Sequence, residues 1–443
     1  MSKLVFVVTM ALCLSSCSTA DTPVAAVAIL AATETIAPTN THSPTSTAVK
    51  LTATARPSQT PEPPAVCPAA GADIPLQAPK NLVEFRETVL AYLNSGGNTQ
   101  ALAGTMTELG MSAEVAFADL DADKVHELII LLDYPSSPDY SHESAVWVFR
   151  CTRAGVYAEA QSFMDGLYTW EPTILAITDL TGDGHPEVVV QGTWSGSACE
   201  LALAVIGASG AAIVDRISGK GMPGCPATVS IAELSSADLP GLILHGQTST
   251  SQAGGPSRGV TYSYRWNRSE FELVDERFDP SLLRIHVLED AQRALDSDDF
   301  DEAIRLYDLA AHDTTLENIA SYYYIPYINS GLPDRDVPER YQPAFALFRL
   351  GAIYSFLARE EEFASTKAEL ITEYPDGTPG GEFADLLQIL AERIQLGDGA
   401  TIACQAVSSA IHERYPELDY HVGEWGFRNI RYVADTICPF NDP

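Results

Sequence analysis

Two stretches of this chain repeat each other, and the repeat limits the folds open to it. FADLDADKVHELIILLDY runs from Phe117 to Tyr134, and ITDLTGDGHPEVVVQGTW from Ile177 to Trp194. Asp119 aligns with Asp179, Asp123 with Asp183 and Glu127 with Glu187. Each acidic segment leads straight into an apolar run, Leu128–Leu132 or Val188–Val190, which reads as a strand. Repetition of a loop plus a strand predicts a modular β structure. A worn third copy, IAELSSADLPGLILHGQT from Ile231, keeps Glu233, Pro240 and Gly246 in matching places. It has Ala237 and Gly241 where acids stand in the others, so it predicts the strand without a cation.

The first loop offers carboxylates at Asp119, Asp121, Asp123 and Glu127, with the Val125 carbonyl between them. The second offers Asp179, Thr181, Asp183 and Glu187, with the His185 carbonyl. Oxygens at alternate loop positions can wrap one hard cation, and carboxylates crowded this closely repel one another unless a cation neutralises them. A flexible all-oxygen loop suits Ca2+ better than Mg2+, which demands tighter octahedral geometry. The pattern resembles the FG-GAP/VCBS repeats of integrin-type propellers and bacterial surface proteins. The match is strongest in the second loop, where Gly182 and Gly184 supply the tight turn. The first loop has Ala122 and Lys124 in the places where that family has glycines, so its bend is less comfortable. Thr181 in turn replaces an acid. The resemblance implies structural Ca2+ of modest affinity, about 10⁻⁴ to 10⁻³ M.

Alternating runs that begin at Ala145 and Tyr262 predict hairpins. Loop strand plus hairpin makes one blade-like unit, and three such units fall short of the roughly four to eight blades of a closed propeller. Leu82, Phe85, Val89, Tyr92 and Leu93 recur at helical spacing before Gly96-Gly97, which predicts a helix that could plug the β array.

From about residue 281 the period switches to helical. AQRALDSDDFDEAIRLYDLAA, from Ala291, resembles a tetratricopeptide repeat, with Ala291, Phe300, Ala303, Tyr307 and Ala310 at the family's small and aromatic positions. Leu350-Gly351 with Tyr354, then Ala364, Ala368 and Tyr374-Pro375, resembles a second unit, and Phe383 to Tyr415-Pro416 a third. The two Tyr-Pro endings lie further apart than the family's period of about 34 residues. The resemblance therefore implies helical hairpins more firmly than any partner. Trp425, Phe427, Ile430 and Val433 suggest a last, capping helix, and Tyr322, Tyr323, Tyr324 and Tyr327 an aromatic insert packed on the helices, with a ligand platform as the alternative reading.

Residues 1–16 hold one Lys, an apolar run from Leu4 to Leu14 and small residues, the form of a secretory signal. Leu14-Ser15-Ser16-Cys17 resembles a bacterial lipobox, which implies lipidation at Cys17 and attachment to the membrane without a spanning helix. Residues 17–79 are rich in Thr, Pro, Ser and Ala, which bury too little apolar area to form a core and predict a disordered tether. Cys67, Cys151, Cys199, Cys225, Cys404 and Cys438 remain, an even set in an exported chain, and so predict disulfides. Locality favours Cys199–Cys225 and Cys404–Cys438, which leaves Cys67–Cys151.

The expected fold is thus multi-domain α+β. A signal at 1–16 and a tether at 17–79 precede a β-repeat, propeller-blade-like domain at 80–280 and a helical, tetratricopeptide-like domain at 281–443. The net charge of −33 opposes nucleic-acid binding. No HExxH, GxSxG, Walker or GxGxxG motif is present, and no enzyme activity is expected. The expectation is a lipid-anchored extracytoplasmic scaffold that binds a protein or glycan. The alternative is a lipoprotein that captures a glycan or peptide in a cleft between its modules, and a hydrolase ranks behind both.

Overall fold

The computed structural model describes residues 67–68, 74–78, 81–135, 142–167, 169–195, 198–217, 221–234, 239–251, 254–319, 337–422, 426 and 428–440. The expected signal at 1–16, Cys17, most of the tether, Ala237 and the tyrosines at 322–324 and 327 lie outside these residues. Glu62–Pro443 forms one compact unit, which holds the β-rich and the helical regions together. No helix among the described residues is long and apolar enough to cross a membrane.

Helix α1 (Leu82–Asn94) is capped by Asn81, whose side chain accepts from the Glu84 N–H at 2.8 Å. It buries the face spaced in the sequence: Leu82, Phe85, Val89, Tyr92 and Leu93. Helix α2 (Leu102–Glu108) follows. Strands β1 (Ser112–Ala118), β2 (Glu127–Pro135), β3 (His142–Cys151) and β4 (Tyr157–Leu167) form one antiparallel sheet in sequence order. A second sheet holds β5 (Thr169–Thr178), β6 (Glu187–Ser195), β7 (Cys199–Ser209), β8 (Ala212–Asp215), β9 (Gly224–Glu233), β10 (Pro240–Gln247), β11 (Gly259–Trp266) and β12 (Phe271–Phe278). Its order is β12-β11-β10-β9-β7-β6-β5, with β8 on β7.

β7 meets β9 at the pair Glu200↔Gly224. The larger sheet is therefore two four-stranded meanders joined end to end. The Cys199–Cys225 disulfide spans this joint. The other bridges are Cys67–Cys151 and Cys404–Cys438, and Cα separations are 5.4 to 5.6 Å in all three. This is the pairing that locality favours.

The central strands are apolar without alternation because both of their faces are covered. Leu128, Ile130 and Leu132 of β2 pack with Trp147 and Phe149 against Phe85 and Val89 of α1. Ile129 and Leu131 point the other way and meet Val188, Val190, Ala204 and Ile206 of the second meander. Val189, Leu203 and Val205 then face Leu242, Leu244, Tyr264 and Phe271 of the third. Three meanders stack face to face, with α1 and α2 over the outer face of the first.

The helical region pairs α3 (Arg284–Asp296) with α4 (Phe300–His312), α5 (Val337–Phe356) with α6 (Glu360–Glu373), and α7 (Glu382–Gln395) with α8 (Ala400–Arg414). Two short helices follow, α9 (Leu418–Val422) and α10 (Ala434–Ile437). Ala291, Ala303, Tyr307 and Ala310 are fully buried in one core, as close approach of α3 and α4 requires. A Cβ on Gly351 would lie 2.7 Å from Leu387 Cδ2, so glycine there lets α5 come against α7.

The capping helix expected across 425–433 does not form at Ile430–Val433; Trp425 and Phe427 lie outside the described residues. The chain there runs as an open strap instead. Ile430 N–H donates to Glu289 Oε1 at 2.8 Å, Tyr432 Oη–H to Leu288 O at 3.2 Å, and Asn429 Nδ2 to Gly254 O at 3.0 Å. Partners on α3 and on the β region hold this segment by one backbone N–H and two side chains, in place of a helical turn. Arg258 at the foot of β11 makes a bidentate pair with Asp290 of α3, both contacts 2.7 Å.

Candidate metal site in the acidic loops

The two matching segments fold alike. In the first, Leu120 N–H donates to Glu127 Oε2 at 2.9 Å, Lys124 N–H to Asp119 Oδ2 at 3.2 Å and Val125 N–H to Asp123 Oδ1 at 2.7 Å. In the second, Leu180 N–H donates to Glu187 Oε2 at 2.8 Å, Gly184 N–H to Asp179 Oδ2 at 2.9 Å and His185 N–H to Asp183 Oδ1 at 2.9 Å. The left-handed turns also coincide, at Ala122 (φ 61°) and Lys124 (φ 69°) against Gly182 (φ 74°) and Gly184 (φ 88°). The acids thus brace their own loop before any cation is considered.

Beyond this frame the loops diverge. In the first, oxygens of Asp119, Asp121 and Glu127 lie within 4.8 Å of one another. Asp119 Oδ1 is shut off from solvent and has no hydrogen-bond partner. An orphaned carboxylate oxygen inside an all-oxygen set fits a hard cation, which supplies the missing positive partner. Glu127 is buried, and burial pushes its carboxyl up to about 7, opposed by the Leu120 N–H and raised further by Asp121. Asp123 stands outside this trio, and its carboxylate is used on the Val125 N–H.

The second loop does not offer the same set. Asp179 Oδ1 is taken by Gly182 N–H at 2.7 Å, and Oδ2 by Gly184 N–H. Thr181 Oγ1 donates to Glu187 Oε1 at 3.2 Å, which occupies that carboxylate oxygen. Burial also raises the Glu187 carboxyl, against lowering by the Leu180 N–H and Arg216. The loop with glycines at both turns is therefore the one in which both oxygens of Asp179 and of Glu187 are engaged; in the first loop Asp121 Oδ1 accepts from Asp123 N–H at 3.3 Å, and Asp119 Oδ1 is the oxygen left open.

No protein-family model matches this chain, and no curated protein does. The site rests on its own geometry.

Two arginines belong to that geometry and are not singled out by the loop pattern. Arg150 on β3 is one step beyond the pair Leu128↔Phe149, on the Glu127 side, and places its guanidinium 3.5 Å from Asp121 Oδ2. Its other end donates to Ala211 O of the second meander at 2.9 Å. Arg216 follows β8 and stands 3.8 Å from Glu187 Oε1. A sequence signal for both existed. The chain has 26 Lys and Arg against 59 Asp and Glu, so an arginine inside or beside an apolar strand is conspicuous.

Proposed function

We propose that the protein is a lipid-anchored extracytoplasmic binding protein whose blade-like β-repeats are stabilised by Ca2+ at the first acidic loop. Asp119, Asp121 and Glu127 are the side-chain ligands in this reading. The observation that carries it is Asp119 Oδ1, a carboxylate oxygen closed to water and without a donor, beside two further acids. The ion would supply charge neutralisation and hold β1 to β2. The tetratricopeptide-like helical hairpins are the interaction module, and their partner is a protein or a glycan. The Arg258–Asp290 pair and the strap at 428–432 fill the junction between the β region and the helices, which favours an outer surface over an inter-module cleft as the binding face. Cys17 carries the anchor, and the Thr/Pro-rich segment spaces the folded part from the membrane.

A ligand that binds only the folded state raises stability by RT ln(1 + c/Kd) at free concentration c, about 0.4–1.4 kcal/mol for millimolar Ca2+ at a Kd of about 10⁻³ to 10⁻⁴ M. Thermal unfolding in millimolar Ca2+ is expected to exceed that in chelator, and Asp121→Asn to erase the difference. Identical melts with and without Ca2+ would remove the metal from this reading.

A further inference from the structure

The second loop contains its own cation. Arg216 is 9% exposed at the side chain and Glu187 1%, so both charges are out of water. Their separation is 3.8 Å, and Arg216 Nε has no hydrogen-bond partner among the described residues. The guanidinium is held from other sides as well. It donates to Ala208 O and lies 4.9 Å over the Trp266 ring of the third meander.

Glycine makes the room. Gly207 on β7 is the residue across the ladder from Glu187, one step beyond the pair Val188↔Ile206. A Cβ at Gly207 would lie 2.6 Å from Arg216 Nε and 3.1 Å from Glu187 Oε1. In the first meander the corresponding position, one step beyond the pair Leu128↔Phe149, is Arg150 itself. The first loop thus meets its arginine at the rim, on Asp121, and the second receives one through the gap beside its glutamate.

We infer that Arg216 is the built-in counter-ion of the second acidic loop, so that this loop takes no Ca2+ and the response to calcium belongs to the first loop alone. Each loop carries one buried glutamate: Glu187 has the Arg216 guanidinium beside it at 3.8 Å, whereas Arg150 reaches the first loop at Asp121 Oδ2, 3.5 Å away, and leaves Asp119 Oδ1 without a partner. Moving a divalent ion next to Glu187 would set it against a fixed, poorly hydrated positive charge. The inference draws its contrast from the calcium reading of the first loop, and the experiment separates the two.

Calorimetric titration of Ca2+ into Asp121→Asn, which leaves the second loop intact, is expected to give no binding heat and no calcium-dependent shift in Tm. Asp121→Asn combined with Arg216→Gln is expected to gain a calcium-dependent rise of a few degrees. Arg216→Met, which keeps the buried stem, is the second form of this arm. Calcium binding by Asp121→Asn alone overturns the inference, as does a folded Arg216 variant with no calcium response. Wild-type protein that takes no calcium sinks the first-loop reading only, and the Arg216 arm then decides by itself.

Discussion

Ala122 and Gly182 occupy the same left-handed turn, and the difference between them is a Cβ. A non-glycine residue in that region costs about 1–2 kcal/mol. Ala122→Gly relieves that cost, offset in part by the greater freedom of glycine in the unfolded chain. A gain of about 0.5–1 kcal/mol is expected, read from denaturant unfolding. The reverse change is harsher. A Cβ on Gly182 would come within 2.6 Å of Leu239 Cδ2 as well as holding φ at 74°. Gly182→Ala is therefore expected to destabilise by more than Gly184→Ala, whose position is open. Equal losses would contradict the packing argument. The sequence shows which turn is strained, because glycine is local information. It does not show that Arg216 reaches Glu187, since that contact depends on Gly207, on a strand pairing and on a ring from another meander.

At the level of elements, α3 and the strap at 428–432 share a buried ionic cluster. Glu289 faces Arg258 at 4.0 Å and Arg293 at 3.9 Å, accepts from Ile430 N–H and neighbours Asp290. Burial pushes its carboxyl up to about 7. His286 lies beside Arg258, near Ser281 Oγ and Pro256 O, and burial lowers its imidazole to about 4. The signs oppose each other. Glu289 binds its proton more tightly folded than unfolded, so its contribution falls as pH rises from about 4.5 to about 7. His286 binds its proton less tightly folded, so its contribution is lost as pH falls from about 6.5 to about 4. Glu289→Gln is expected to remove a fall in melting temperature between about pH 4.5 and 7, and His286→Gln a rise between about pH 4 and 6.5. A profile unchanged in both variants would rule out this cluster as a pH-sensitive joint. The α1 face and the hairpins were legible in periodicity, because each covers one local surface. The strap was not. Ile430 and Val433 look helical by spacing, yet the Ile430 N–H goes to Glu289 on α3, and Val433 caps α10, its N–H donating to Thr436 Oγ1 at 2.9 Å.

Across the whole molecule, two sheets and a helical region form one compact unit, Glu62–Pro443, and the residues before it differ in composition. Three disulfides tie the entry of the chain to β3, the second meander to the third, and α8 to the C-terminal end. They are compatible with an oxidising compartment. The proposed anchor predicts that Cys17→Ala moves the protein from the membrane fraction to the soluble fraction, with its melting temperature unchanged. Membrane retention of that variant would contradict lipidation at Cys17. The protein is proposed to hold one ion at the first loop and none at the second. The most direct measurement is a crystal structure grown in saturating Ca2+. The account predicts a density peak about 2.3–2.6 Å from oxygens of Asp119, Asp121 and Glu127, with Arg216 still beside Glu187. An empty first loop, or a peak between Asp179 and Glu187, would contradict it.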